Sequence, residues 1–211
     1  MKGYSLFDYD ARVLTRRYDD PLELIWYATA KRLGLTIKRN PSVFAMTDGT
    51  GLLELATRDT LDADDNAAQM IVHEICHWIT NGVETFTDRD WGFEVVDTVD
   101  WREFPGIRVQ AALAERYGLR DFLAPTSGFR RYYDQIPADV LEPIDDSPEE
   151  ARTVERARLA LRAADFEPWG DIVREALMAT AALRAAVTPF LAHYQSDGEG
   201  PDLPSLWARL E

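Results

Sequence analysis

Two histidines four residues apart, His73 and His77, with Glu74 directly after the first, stand in a run of apolar residues that reads as one amphipathic helix. On an α-helix, residues four apart lie one above the other, so both imidazoles project from one face toward a single point. Two nitrogen ligands of one metal ion need that geometry, and Glu74 sits beside the face, where it can handle the proton of a water held by the ion. The helix is expected from Asn66 through Thr80, with Met70, Ile71, Ile75, Trp78 and Ile79 turned to the core and Asn81-Gly82 as its C-terminal stop. Asp62, Asp64 and Asp65 precede it, where a helix N-terminus favours negative charge. The chain has only three histidines, and the remaining one, His193, is expected to serve the dipole at the end of a later helix rather than a metal.

A metal helix of this kind must be packed by other elements, and 211 residues suffice for one sizeable core with a smaller helical appendage. Hydrophobic residues at 46% and charged ones at 28% are ordinary globular values. The net charge of −14 opposes sequence-independent binding to nucleic acid or anionic lipid, and suits a basic partner or a cationic substrate better. Cys76 is the single cysteine, so no intrachain disulfide forms and a reducing compartment is expected. Lying about a residue off the histidine face, it reads as a small buried hydrophobe rather than a ligand. The first eleven residues show no apolar signal core and no window approaches a membrane span, so the expectation is a cytoplasmic protein without membrane contact.

Ahead of the metal helix, Asp19 or Asp20 caps a helix opened by Pro21 and stopped at Gly34. Leu35 to Lys38 alternates as a strand does, and residues 42–46 and 52–56 flank the turn Thr47-Asp48-Gly49-Thr50-Gly51 as a hairpin. A small antiparallel sheet should therefore pack on the metal helix. Val83 to Phe104 is irregular, with room for one short strand, and a second strong helix is expected from Pro105 at Ile107–Tyr117, stopped by Gly118. Five prolines and glycines between 120 and 148, with Phe129, Tyr132 and Tyr133 among them, read as a docked connection, and Ser147-Pro148-Glu149-Glu150 opens two further helices near 149–164 and 168–193. The resulting fold class is α+β and mostly helical, organised as a metal-binding core over 1–125, a Pro-rich connection over 126–148 and a helical extension with its tail over 149–211.

Two histidines leave a catalytic metal short of a third protein ligand, usually a carboxylate. Glu94, Asp97, Asp100, Glu103 and Glu115 are the candidates, and Glu103 is favoured over Glu94 because the helix opened by Pro105 can aim it back at the histidines. Among the aromatic residues nearby, Trp91, Phe93, Trp101 and Phe104 either line a substrate cleft or pack around the metal helix. Arg130 and Arg131 read as a solvated basic spot.

The run His73-Glu74-Ile75-Cys76-His77-Trp78, followed by Gly82, by Asp90-Trp91-Gly92-Phe93, and then by Glu103 and Gln110, resembles the metal-binding core of the elongation factor P hydroxylases over residues 70–113. The resemblance implies a two-histidine, one-carboxylate centre that hydroxylates a modified lysine on a translation factor. By it, His73, His77 and Glu103 are ligands and Glu74 lies beside the open coordination position. The order helix, hairpin, H-E-x-x-H helix and carboxylate-bearing helix also resembles a minimal zincin peptidase, in which a strand edge, here Leu52 to Ala56, binds extended substrate. One divalent ion, iron in the first case and zinc in the second, is implied either way, with a protein or peptide as substrate. A metal-binding scaffold without catalysis is the third reading.

Overall fold

The computed structural model describes residues 19–62, 65–93 and 99–191. Helix α1 (Pro21–Arg32) begins where the Asp20 carboxylate accepts the N–H groups of Leu22 and Glu23, at 2.9 and 3.1 Å, a cap worth about 1 kcal/mol. It is followed by strands β1 (Thr36–Arg39), β2 (Ala45–Thr47) and β3 (Leu52–Leu55). The hairpin forms as expected, β2 lying antiparallel to β3 with Met46 opposite Glu54. The sheet as a whole is mixed rather than antiparallel: β1 runs parallel to β3, and the order is β1-β3-β2. Residues 40–44 carry the chain past β3, and the Asn40 N–H to Leu55 carbonyl bond (2.8 Å) and the Ala56 N–H to Phe44 carbonyl bond (2.8 Å) fix the two strands on its opposite flanks. The segment expected as a free edge, Leu52 to Ala56, is consequently the sheet centre, with Leu53 and Leu55 fully buried.

Helix α2 (Ala67–Asn81) carries the two histidines. Its N-cap is Asn66, whose side chain accepts the Gln69 N–H at 2.9 Å, and Gly82 closes it at φ 109°, a conformation that only glycine adopts without strain. Every residue of α2 except His73 is buried, so this is a helix packed on all sides and not a surface helix with one apolar stripe. It packs against α1 and against the later helices α3 (Glu103–Glu115) and α5 (Pro148–Ala163). Between α2 and α3 the chain makes two short 3-10 turns, Val83–Thr87 and Arg89–Gly92, and no strand among the described residues. Helix α3 starts two residues before Pro105, because the first turn of a helix tolerates a missing N–H, so Glu103 belongs to the helix rather than preceding it.

The connection holds a short helix, α4 (Ser127–Tyr133), and is docked by buried Tyr133, Ile136 and Val140 on the α3 residues Ile107 and Ala111. Ser147 caps α5 by accepting the Glu150 N–H at 3.1 Å, and α6 (Gly170–Leu191) returns along α1, where the Trp26 indole donates to Thr180 Oγ1 at 3.0 Å. One apolar cluster runs from Trp26 through Ile75 and Leu113 to Ala157 and Leu177, so the C-terminal helices share their core with the metal helix. No helix among the described residues is long and apolar enough to cross a membrane.

Candidate metal centre

The first turn of α3 abuts α2 at His77 because residue 106 is glycine. A Cβ there would stand 3.1 Å from His77 Cδ2. This close approach brings the Glu103 carboxylate over the histidine face. Its Oε1 lies 2.9 Å from His73 Nε2 and 3.0 Å from His77 Nε2, and the two rings meet edge to face with centroids 4.2 Å apart. One ligand atom from each of the three residues falls within 4.8 Å of the other two, so the group is able to hold one metal ion. Nitrogen, nitrogen and oxygen donors on rigid elements are the set that a borderline or hard divalent ion takes, and three protein ligands leave positions open.

Of the other carboxylates weighed for the third position, the two that are described, Glu115 and Asp100, do not join this group. Glu115 is exposed near the far end of α3, 3.9 Å from Arg120, and Asp100 engages the Arg102 guanidinium, with Nε at 3.0 Å. Glu94, Asp97 and His193 lie outside the described residues. Cys76 is fully buried, and burial pushes its thiol well above the ordinary range, as befits an inert core residue.

The proton positions follow from the surroundings. The Gln110 amide N–H donates to the Leu123 carbonyl at 2.7 Å, which turns its oxygen toward His73 Nδ1 at 2.9 Å, where it accepts the Nδ1–H. A neutral His73 consequently carries its lone pair on Nε2, facing the site. Without an ion, burial disfavours a charged His73, but the hydrogen bond and charge of Glu103 outweigh it and hold the imidazole up at about 9. Burial likewise pushes Glu103 up, and the charges of His77 and His73 together with the His73 hydrogen bond pull harder, leaving its carboxyl well below the usual carboxylate range.

Glu74 is 6% exposed, and its Oε2 accepts the indole N–H of Trp91 at 2.9 Å. Trp91 is fully buried against Trp78, ring centroids 5.3 Å apart and nearly parallel, so it supports Glu74 and does not line a cleft. Asp90 and Trp91 both adopt left-handed backbone, at φ 49° and 54°, which costs non-glycine residues of order 1–2 kcal/mol each. Tertiary bonds hold them there: Asp90 Oδ1 accepts the Thr47 N–H at 3.1 Å, and the Asn81 amide donates to the Trp91 carbonyl at 2.9 Å. Two residues on, Phe93 stacks on His77 with centroids 4.5 Å apart and also meets the Arg102 guanidinium at 5.0 Å, while Arg102 donates to the Gly92 carbonyl at 2.7 Å. Trp101 and Phe104 lie elsewhere, under Arg152 and against Tyr132.

A cleft of about 200 Å³ opens onto His73, Glu74, His77 and Glu103, walled by Phe44, Ala45, Met70 and Phe129. The bond from Trp91 to Glu74 and the support of His73 by Gln110 do not follow from helical spacing. The only trace of either in the sequence is the position of those residues in the longer motif. Compared with known protein families, curated proteins and solved structures, the chain shows no match.

Proposed function

We propose that the protein is a metal-dependent enzyme that holds one divalent ion through His73, His77 and Glu103 and hydroxylates a side chain of a protein or peptide. One observation carries this reading: three residues of the longer motif beyond H-E-x-x-H, Trp91, Phe93 and Gln110, each meet a member of the site. Trp91 bonds Glu74, Phe93 covers His77 and Gln110 orients His73. Bound iron would supply oxygen activation at the positions that two histidines and one carboxylate leave open. The protein's own contribution is to fix His73 as the Nδ1–H tautomer, to balance charge with Glu103, and to hold Glu74 with one oxygen committed to an indole N–H. Phe44, Met70 and Phe129 give the cleft apolar walls.

A zinc peptidase is the second reading, and the sheet edge favours it. Phe44 and Asp48 bond back to β3, so the alternate residues of β2 face outward. Thr47 gives its N–H to Asp90, whereas the Ala45 N–H and carbonyl have no partner among the described residues and lie beside the cleft. An extended peptide can pair there, with Glu74 taking the proton of the attacking water. Metal analysis of protein purified without added metal separates the two. Iron, with oxygen uptake that requires a two-electron reductant to carry the second oxygen atom to water and a peptide product heavier by one oxygen atom, supports hydroxylation. Zinc, with peptide cleavage lost in Glu74→Gln, supports hydrolysis. Wild-type function in His73→Ala would sink both.

A further inference from the structure

The cleft that opens onto the three ligand residues is built to a chemistry of its own. Ala45 opens β2 and Phe44 directly precedes it, Met70 comes from α2 one turn before His73, and Phe129 from α4, its ring roughly parallel to His73 with centroids 5.9 Å apart. Two polar residues complete the described wall, Gln69 and Thr126. Gln69 is buried and spoken for, its amide donating to Asp65 at 3.0 Å and its oxygen accepting from Asn66 at 3.4 Å.

The only acidic groups among these lining residues are Glu74 and Glu103. With a divalent ion in place, its two positive charges are balanced by these two carboxylates, so the loaded floor is neutral. One oxygen of Glu74 is already bonded to Trp91, and the Glu103 oxygen nearest the site faces both histidines. An ammonium group entering here would lose its water and meet, among the described residues, no carboxylate whose charge the ion leaves unmatched, a cost that apolar walls cannot offset. The negative charge of the whole chain does not change this, because exposed charges are screened beyond about 10 Å at ordinary salt and act on encounter rather than inside the cleft. The volume, about 200 Å³, is below the roughly 300 Å³ at which pockets for whole drug-sized ligands begin, and suits one side chain.

We infer that the substrate group entering this cleft is a single uncharged, apolar side chain of a protein or peptide, held between Phe44, Met70 and Phe129. The inference rests on the metal-enzyme reading above and departs from the modified lysine that the hydroxylase resemblance implies. It is tested on the metal-loaded 211-residue chain with three hydroxamates, whose head groups chelate an open metal position and whose tails differ: acetohydroxamate, hexanohydroxamate and the ω-amino analogue of the latter. Calorimetric titration should show all three binding only to loaded protein, with the hexano tail binding roughly tenfold more tightly than the acetyl one, as partial burial of its extra methylenes requires. The ω-amino analogue should lose that gain, and Phe129→Asp should restore binding to the ω-amino analogue while weakening the hexano compound. Equal or tighter binding of the ω-amino compound by the unsubstituted protein overturns the inference and leaves the metal centre standing. No binding of acetohydroxamate to loaded protein overturns the open metal centre, and the inference with it.

Discussion

Gln110 determines where a proton can sit on His73, and its removal separates positioning from ligation. Gln110→Leu keeps the volume but frees the ring, and metal affinity should fall about 10- to 100-fold with the helical circular-dichroism spectrum preserved. Competition titration reads the affinity, and nitrogen NMR of the metal-free protein above about pH 9, where His73 is neutral, should lose the fixed Nδ1–H tautomer. The acid–base behaviour is equally specific. In metal-free protein His73 is raised from 6.5 to about 9, so its contribution to stability is complete below 6.5 and is lost as pH rises through about 9. Glu103 is shifted the other way, so its contribution is present above the ordinary value of 4.5 and is lost as pH falls through its depressed one. Thermal scans in chelator should therefore show a midpoint that declines between pH 6.5 and about 9, and His73→Gln should flatten that decline. Metal affinity should rise over the same interval, because an ion must displace the His73 proton. The ligand residues were legible because helical spacing places His73 and His77 on one face and Pro105 marks a helix beside Glu103. The seat of Glu74 was not, since it depends on Asp90 and Trp91 in a backbone region that local propensity disfavours and only contacts from Thr47 and Asn81 maintain.

Helix α3 supplies both Glu103 and Gln110, and its own placement depends on a polar network between them. Arg108 is fully buried, bonded to the Val140 and Glu142 carbonyls, to Tyr132 Oη at 2.8 Å and to the Glu150 carboxylate, which also accepts the Ile144 N–H at 3.0 Å and the Tyr132 hydroxyl at 3.1 Å. The network joins α3 to the docked connection and to the first turn of α5. Removing one partner strands the other in the core, so Arg108→Leu should cost about 3–5 kcal/mol in denaturant unfolding, and the Arg108→Leu/Glu150→Leu double variant should recover much of it. A double variant as unstable as the single one would show that the packing of the arginine stem matters more than the charge pair. Helices were legible here from caps and stops, Asp20 for α1 and Ser147 for α5 among them. The strand partners were not: period-two alternation in residues 35–38 predicts a strand but carries nothing about which neighbour it pairs with, and the parallel contact of β1 with β3 depends on the path of residues 40–44.

Among the described residues, the apolar cluster from α1 to α6 encloses α2, and the metal face of that helix is presented at the cleft and toward the first turn of α3. A rigid, buried helix suits a site whose donors must hold sub-ångström positions while the cleft stays open. The net charge of −14 repels other acidic molecules and nucleic acid at long range. An ion that binds the folded state alone also stabilises it, by about 4 kcal/mol at a thousandfold excess over its dissociation constant, so stripping with chelator should lower the unfolding midpoint reversibly. The most direct measurement is the metal content of protein purified without added metal, taken side by side for the unsubstituted chain, His73→Ala, His77→Ala and Glu103→Ala. One divalent ion per chain is expected in the first and a large loss in each of the others, with helical content retained. Full occupancy in Glu103→Ala, or no bound ion in the unsubstituted chain after supplementation with iron or zinc, would contradict the site.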